Sequence, residues 1–247
     1  MLRLSARRSP AFLASVRNAA EASTALAGGA DILDCKDPSL GALGAVSLPV
    51  VREIVAAAGP GVMVSATIGD LPNDPQRVAK VAEEVAATGV HIVKWGIFES
   101  DGATQVIEAL HDTDIAGAQL VAVLMADCNP DMALLARLAT AGFAGVMLDT
   151  ANKSRGPLTQ ILSVAEIKSF VALAHKYKLI SGLAGSLRID DIEPLLSYGP
   201  DVLGFRGALC VDGRTGRLNG ANVVTVAKAI AAAADGARVI RPSRIVA

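Results

Sequence analysis

The sequence predicts an α/β fold, a single (β/α)8 TIM barrel with its active site at the C-terminal mouth of the strands, and three observations lead there. Four segments repeat one pattern, in which a glycine is followed two residues later by an apolar strand that delivers a charge: Gly29 leads to Lys36, Gly89 to Lys94, Gly142 to Asp149 and Gly199 to Arg206. The offsets are seven, five, seven and seven residues. All are odd, and because strand side chains alternate faces the four charges should point the same way. The repeats lie about fifty to sixty residues apart, the length of two strand-plus-helix units, as expected for the even-numbered strands of such a barrel. Finally, 247 residues with 52% apolar side chains suit one large core of this size class.

Along the chain, short runs rich in Val, Ile and Leu alternate with longer Ala, Leu and Glu segments, the pattern of a parallel sheet wrapped by helices. The first strand is expected at 11–16, before an alanine-rich helix at 19–28. Strand 31–36 carries Asp34, Cys35 and Lys36 and precedes a helix at 49–58. Strand 62–67 runs into Ser65-Ala66-Thr67-Ile68-Gly69-Asp70 and a helix at 75–88. Strand 91–96 ends in Lys94-Trp95-Gly96, with a helix at 102–112. Strand 119–125 leads to Asp127 and a helix at 131–141. Strand 144–149 ends in Asp149-Thr150-Ala151-Asn152-Lys153, before a long helix at 159–177. Strands 179–184 and 202–206, with helices 189–197 and 221–234, complete eight of each. The barrel domain then spans 11–235, between an N-terminal extension (1–10) and a basic tail (236–247) containing Arg238, Arg241 and Arg244.

Composition excludes several classes. A net charge of −1 provides no basic field for nucleic acid, and 3% aromatic residues leave little for stacking on bases. No apolar run reaches the ~20 residues of a membrane span. Three separated cysteines without a CxxC pair suit a reducing compartment, and the N-terminal segment lacks the apolar core of a secretory signal, so a cytoplasmic location is expected. No His/Cys cluster points to a metal, and no cofactor is called for. His91, His111 and His175 fall at strand starts or on helices, away from the mouth. Alanine-rich helix faces would also suit contacts in a homo-oligomer.

The chemistry lies in what the strand ends bring together. Asp34 and Lys36 share a face, while Cys35 points outward to the helices as packing rather than as a nucleophile. As structural pairs, Lys36 with Asp34 and Lys153 with Asp149 would be salt bridges tying strand ends. Three lysines at one mouth ask for more, because nearby amines repel and buried ones are costly. Carbonyl chemistry would use them: one amine, deprotonated under the influence of its cationic neighbours, attacks an aldehyde or ketone as a Schiff-base nucleophile while another transfers protons. The loops after strands seven and eight, the usual phosphate site of this fold, carry Gly185-Ser186 and Arg206-Gly207. Glycine amides can approach an anion closely and the arginine fork can bind phosphate. The expected partner is a small phosphorylated carbonyl compound.

The segments Gly28 to Pro38, Val64 to Asp70, Met147 to Thr150, Leu183 to Ser186 and Gly204 to Ala208 closely resemble the (5-formylfuran-3-yl)methyl phosphate synthase family, also called 4-(hydroxymethyl)-2-furancarboxaldehyde-phosphate synthase, of methanofuran biosynthesis. The resemblance runs from about Ala11 to Ala234. It implies a (β/α)8 barrel that joins two molecules of glyceraldehyde 3-phosphate, loses one phosphate and water, and closes a furan ring without a cofactor. It further implies Lys36 as the Schiff-base lysine and Lys94 as the proton acceptor, with Asp34, Asp149 and Lys153 at other active-site positions. A retained phosphate would sit near Gly185, Ser186, Arg206 and Gly207. Another phosphosugar enzyme on the same scaffold, a class I aldolase or an isomerase, would share Lys36 and the phosphate loops, and a non-catalytic phosphometabolite-binding barrel would share the fold.

Overall fold

A computed structural model describes residues 9–240. Eight parallel strands close on themselves in sequence order, β1 pairing with both β2 and β8. The strands are β1 (Ala11–Val16), β2 (Ile32–Cys35), β3 (Met63–Thr67), β4 (Ile92–Ile97), β5 (Gln119–Met125), β6 (Gly145–Asp149), β7 (Ile180–Leu183) and β8 (Val202–Phe205). Between and after them run α1 (Ala19–Ala27), α2 (Leu48–Ala58), α3 (Pro75–Ala86), α4 (Ala103–His111), α5 (Leu134–Thr140), α6 (Leu158–Ile161), α7 (Val164–Lys176), α8 (Ile192–Leu196) and α9 (Gly220–Ile240). Every expected strand is present to within a residue or so at each end. The first eight residues of the expected N-terminal extension, and 241–247 of the tail, lie outside the described residues.

Two helix expectations are corrected. The segment read as one helix over 159–177 is two, because Leu162 is extended and Ser163 starts a new helix: its hydroxyl caps Glu166 N while the Glu166 carboxylate accepts from Ser163 N. This reciprocal cap satisfies two otherwise orphaned amides and favours a fresh start over continuation. The expected final helix, 221–234, instead continues to Ile240. Among the described residues, no helix is long and apolar enough to cross a membrane.

Strand alternation builds two separate apolar layers. Phe12, Leu33, Cys35, Val64, Val93, Trp95, Leu124, Leu148 and Phe205 face outward into one cluster with the helices. Cys35 is fully buried there, as expected, and burial raises its thiol pKa, which removes it from nucleophilic chemistry. The other parity points into the barrel, where Leu13, Ile32, Ile92, Val121, Met147 and Val202 form a smaller core. Phe12 and Phe205 meet edge to face across the β1–β8 seam with centroids 5.8 Å apart. The same inward parity, one layer further along the strands, delivers charged side chains.

Candidate active site

Adjacent inward positions of β1, β2 and β3 set Ser15, Asp34 and Ser65 side by side. Asp34 is wholly buried and accepts from Ser15 Oγ at 3.1 Å and from Ser65 Oγ at 2.7 Å. Lys94 Nζ, from β4, lies 2.7 Å from the same Oδ1. Burial alone would raise the Asp34 carboxyl pKa, but the Lys94 and Lys36 charges outweigh it and hold the group below its ordinary value. Lys94, with Leu13 and Met147, lines both the mouth and a small internal cavity of about 30 Å³.

Four strands away, Asp149 ends β6. Its Oδ1 accepts from Thr150 N at 2.7 Å and contacts Lys153 Nζ, while Lys36 Nζ reaches across the mouth to Oδ2 at 3.3 Å. Desolvation opposes ionisation of Asp149, yet Lys153 and Lys36 drive its pKa far below the carboxylate norm. The expected pairing of Lys36 with Asp34 is therefore corrected. Asp34 sits one inward position deeper and is taken by Lys94, leaving the long Lys36 side chain to bridge toward β6. The Lys153–Asp149 pair is present.

Three buried or nearly buried amines share two carboxylates. With all three protonated one positive charge would be left over, which favours loss of a proton, and burial lowers the pKa of Lys94 first of all, with the neighbouring Lys36 charge adding to the shift and Asp34 opposing it. Lys153 is lowered in the same way, chiefly by burial and then by Lys36, against the pull of Asp149. Such a cluster gives up a proton more readily than an isolated lysine and attracts an anion.

The Lys153 loop is held from the neighbouring strand. Asp127, just past β5, accepts from Ala151 N at 2.7 Å and Asn152 N at 2.8 Å, one carboxylate oxygen each. Asp127→Ala orphans both amides and is expected to lower stability by about 1–2 kcal/mol, by analogy with a lost helix cap. Asp127→Asn, keeping one acceptor oxygen, should recover part of this in urea denaturation; equal midpoints for wild type and Asp127→Ala would remove the clamp.

Gly185, Ser186 and Gly207 line the same cavity, which has a volume of about 590 Å³. Gly185 adopts φ 101° and packs against the β6 loop so closely that an added Cβ would lie 2.9 Å from Thr150 Cγ2 and 3.1 Å from Thr150 N. Only glycine brings the β7 loop this near Asp149.

Arg206 lines the cavity but is committed elsewhere. Its Nε donates to Arg214 O at 2.9 Å; Nη1 donates to Ser15 O at 3.1 Å and Glu21 Oε2 at 2.6 Å; Nη2 donates to Glu21 Oε1 at 3.2 Å and Gly216 O at 2.8 Å. These five bonds use every N–H the guanidinium has. The expectation of a free arginine fork for phosphate is corrected accordingly: Arg206 knits β1, α1 and the loop after β8 together. Desolvation works against the Glu21 carboxylate, but Arg206 and Arg17 hold its pKa below normal.

Sequence reasoning did not single out Ser15, Glu21 or Arg214. Ser15 had a usable signal, a polar residue at the inward parity of an apolar strand. Glu21 and Arg214 had none, being a helix residue and a loop residue whose partners are about 185 and 173 positions distant. The three histidines bond away from the mouth, His91 to Val64 N, His111 to Ala141 O and His175 to Asp201. Among the described residues no group of three or more His, Cys, Asp or Glu side chains is arranged to hold a metal ion.

The closed barrel is shared with solved enzymes. Phosphoribosyl anthranilate isomerase from Thermus thermophilus superposes with a TM-score of 0.63 at 15% identity, covering 90% of this chain and 98% of its own. Fold and buried charge cluster thus define the class, a (β/α)8 barrel with an ionic centre at the inner strand ends. The sequence model of the 4-HFC-P synthase family matches residues 12–227, and the chain belongs to that family. A (5-formylfuran-3-yl)methyl phosphate synthase of Methanococcus maripaludis (strain C7 / ATCC BAA-1331) is 35% identical over 82% of this chain and 90% of its own length. A Methylorubrum extorquens protein that carries the same name as a candidate is 41% identical, over 90% and 92%.

Proposed function

We propose that this protein condenses two molecules of glyceraldehyde 3-phosphate into (5-formylfuran-3-yl)methyl phosphate in the cytoplasm, as a carbon–oxygen lyase of methanofuran biosynthesis. Atom balance requires release of one phosphate and two waters. The observation that carries the reading is the array of Lys36, Lys94 and Lys153 on Asp34 and Asp149 at one mouth, three amines to two carboxylates.

In this reading Lys36 attacks a triose carbonyl; its nitrogen lone pair forms the C–N bond and loss of water leaves an iminium. The iminium acidifies the adjacent carbon, and Lys94 removes that proton. The lowered pKa of Lys94 suits a proton acceptor, and Asp34, held by Ser15 and Ser65, stabilises the ammonium that results. Asp149 orients Lys36 and Lys153 together, which places a second ammonium where a departing oxygen can take a proton. The retained phosphate lies against the main chain of Gly185, Ser186 and Gly207, where glycines admit close approach.

The test is product formation. Purified protein with glyceraldehyde 3-phosphate as sole substrate should release inorganic phosphate and an ultraviolet-absorbing furan aldehyde phosphate in equal amounts, identified by mass. Aldol products or isomerised triose without furan would instead assign the site to another Schiff-base phosphosugar enzyme.

A further inference from the structure

The loop between β8 and α9 carries a second arginine in a state opposite to that of Arg206. This loop folds back on itself: Cys210 bridges Leu218, Val211 N donates to Arg217 O at 3.0 Å, and Gly216 N donates to Gly213 O at 3.0 Å. Its main chain is pinned from β1 and α1, because Arg206 holds Arg214 O and Gly216 O while Arg17 holds Thr215 O at 3.0 Å. The buried Glu21 carboxylate anchors both arginines. The loop is therefore a fixed arm, and Arg214 stands at its tip, lining the cavity.

From there the Arg214 side chain reaches to the β2 loop, where Nη2 donates to Gly41 O at 2.9 Å. That carbonyl is fixed as well. Asp70 accepts from Ala42 N at 2.8 Å and Leu43 N at 2.7 Å, and Gly41, at φ 124°, lies so close that an added Cβ would be 2.3 Å from Asp70 Oδ2. Arg214 thus spans two rigid loops with its guanidinium held in place. Among the described residues this is the one hydrogen bond its side chain makes, so most of its N–H donors remain for a ligand, whereas Arg206 has none left. Three carboxylates bring their charge to bear on it, and each is engaged elsewhere: Asp149 is shared by two lysines, Asp70 accepts from Ala42 N and Leu43 N, and Asp37 accepts from Ser39 N and Oγ.

We propose that Arg214 forms a second phosphomonoester site at the mouth, on its β2–β8 side, bordering the first at Gly207, which lies beside the Arg214 Cβ, and set apart from Gly185 and Ser186 after β7. A planar fork with open donors, fixed at both ends beside an excess of amines, is built to receive a dianionic phosphoryl group bidentately. Two phosphate sites in one cavity fit a reaction of two triose phosphates, and to that extent the inference rests on the function proposed above. Arg214 then holds the phosphate that leaves. When the base takes the proton beside the iminium, the C–H electrons form the new C=C bond, the C–O bond breaks, and inorganic phosphate departs with that pair onto the guanidinium and the Lys153 ammonium.

Calorimetric titration of the full chain with inorganic phosphate tests this. Wild type should take up two phosphates per chain and Arg214→Gln one, with the KM of the variant for glyceraldehyde 3-phosphate raised at least about tenfold. Arg214→Lys, which keeps the charge but not the fork, should bind the second phosphate more weakly than wild type. Equal uptake by wild type and Arg214→Gln, or fewer than two phosphates in wild type, overturns the site. A wild type that binds two and loses one in Arg214→Gln, yet forms no furan, leaves the site standing and overturns the triose condensation.

Discussion

Replacing Lys36 by arginine abolishes turnover while the barrel still folds. Arginine retains a positive charge facing Asp149, so the ion pair across the mouth survives, but a guanidinium cannot condense with a carbonyl to an imine. Loss of the covalent route should cost at least about three orders of magnitude in rate, ~4 kcal/mol of barrier. Borohydride treatment with glyceraldehyde 3-phosphate, followed by peptide mass mapping, should give a reduced triose adduct on Lys36 in wild type and none at position 36 in the variant. Substantial residual activity would remove Lys36 from the nucleophile role. An adduct on Lys94 or Lys153 in wild type would keep the reaction class and exchange the parts, a real alternative because burial lowers the pKa of both.

Arg206→Ala is a stability mutant rather than a binding mutant. The change leaves the Glu21 carboxylate buried with only Arg17 as a cationic partner, removes the Arg206 donors from the carbonyls of Ser15 and Arg214, and leaves Gly216 O with the longer 3.4 Å bond from Arg17. Breaking a buried pair from one side costs about 3–5 kcal/mol, which for a domain of this size lowers Tm by roughly 10 °C. Arg206→Lys should recover little, since a single ammonium cannot serve five acceptors in a plane. Thermal and urea denaturation read the effect directly. A variant that melts like wild type but shows a raised KM would return Arg206 to the phosphate site.

The strands were legible in the sequence because period-two alternation is local. Asp34, Lys94 and Asp149 each stand at the inward parity of an apolar run, and the glycine-to-charge offsets are enough to say which wall they climb. The family resemblance added names for residues that parity had already put on one face. Helix ends were harder to read, although the Ser163 to Glu166 cap was spelled out locally and was overrun because the apolar pattern continued through it.

The sequence by itself determined the eight-fold alternation, the inward and outward faces, the exclusion of Cys35 from the chemistry and the gathering of lysines at one end. Tertiary structure decided who pairs with whom. Lys36 finds Asp149 and not Asp34 because the depth of each side chain and the strand opposite it set the partner, and neither is a property of sequence spacing. Arg206 loses its expected free fork for the same reason, its five N–H groups all taken by Glu21 and by main-chain carbonyls. A guanidinium binds a ligand only with donors the protein has not already used, and that count exists only once Glu21 and the distant carbonyls have closed around it.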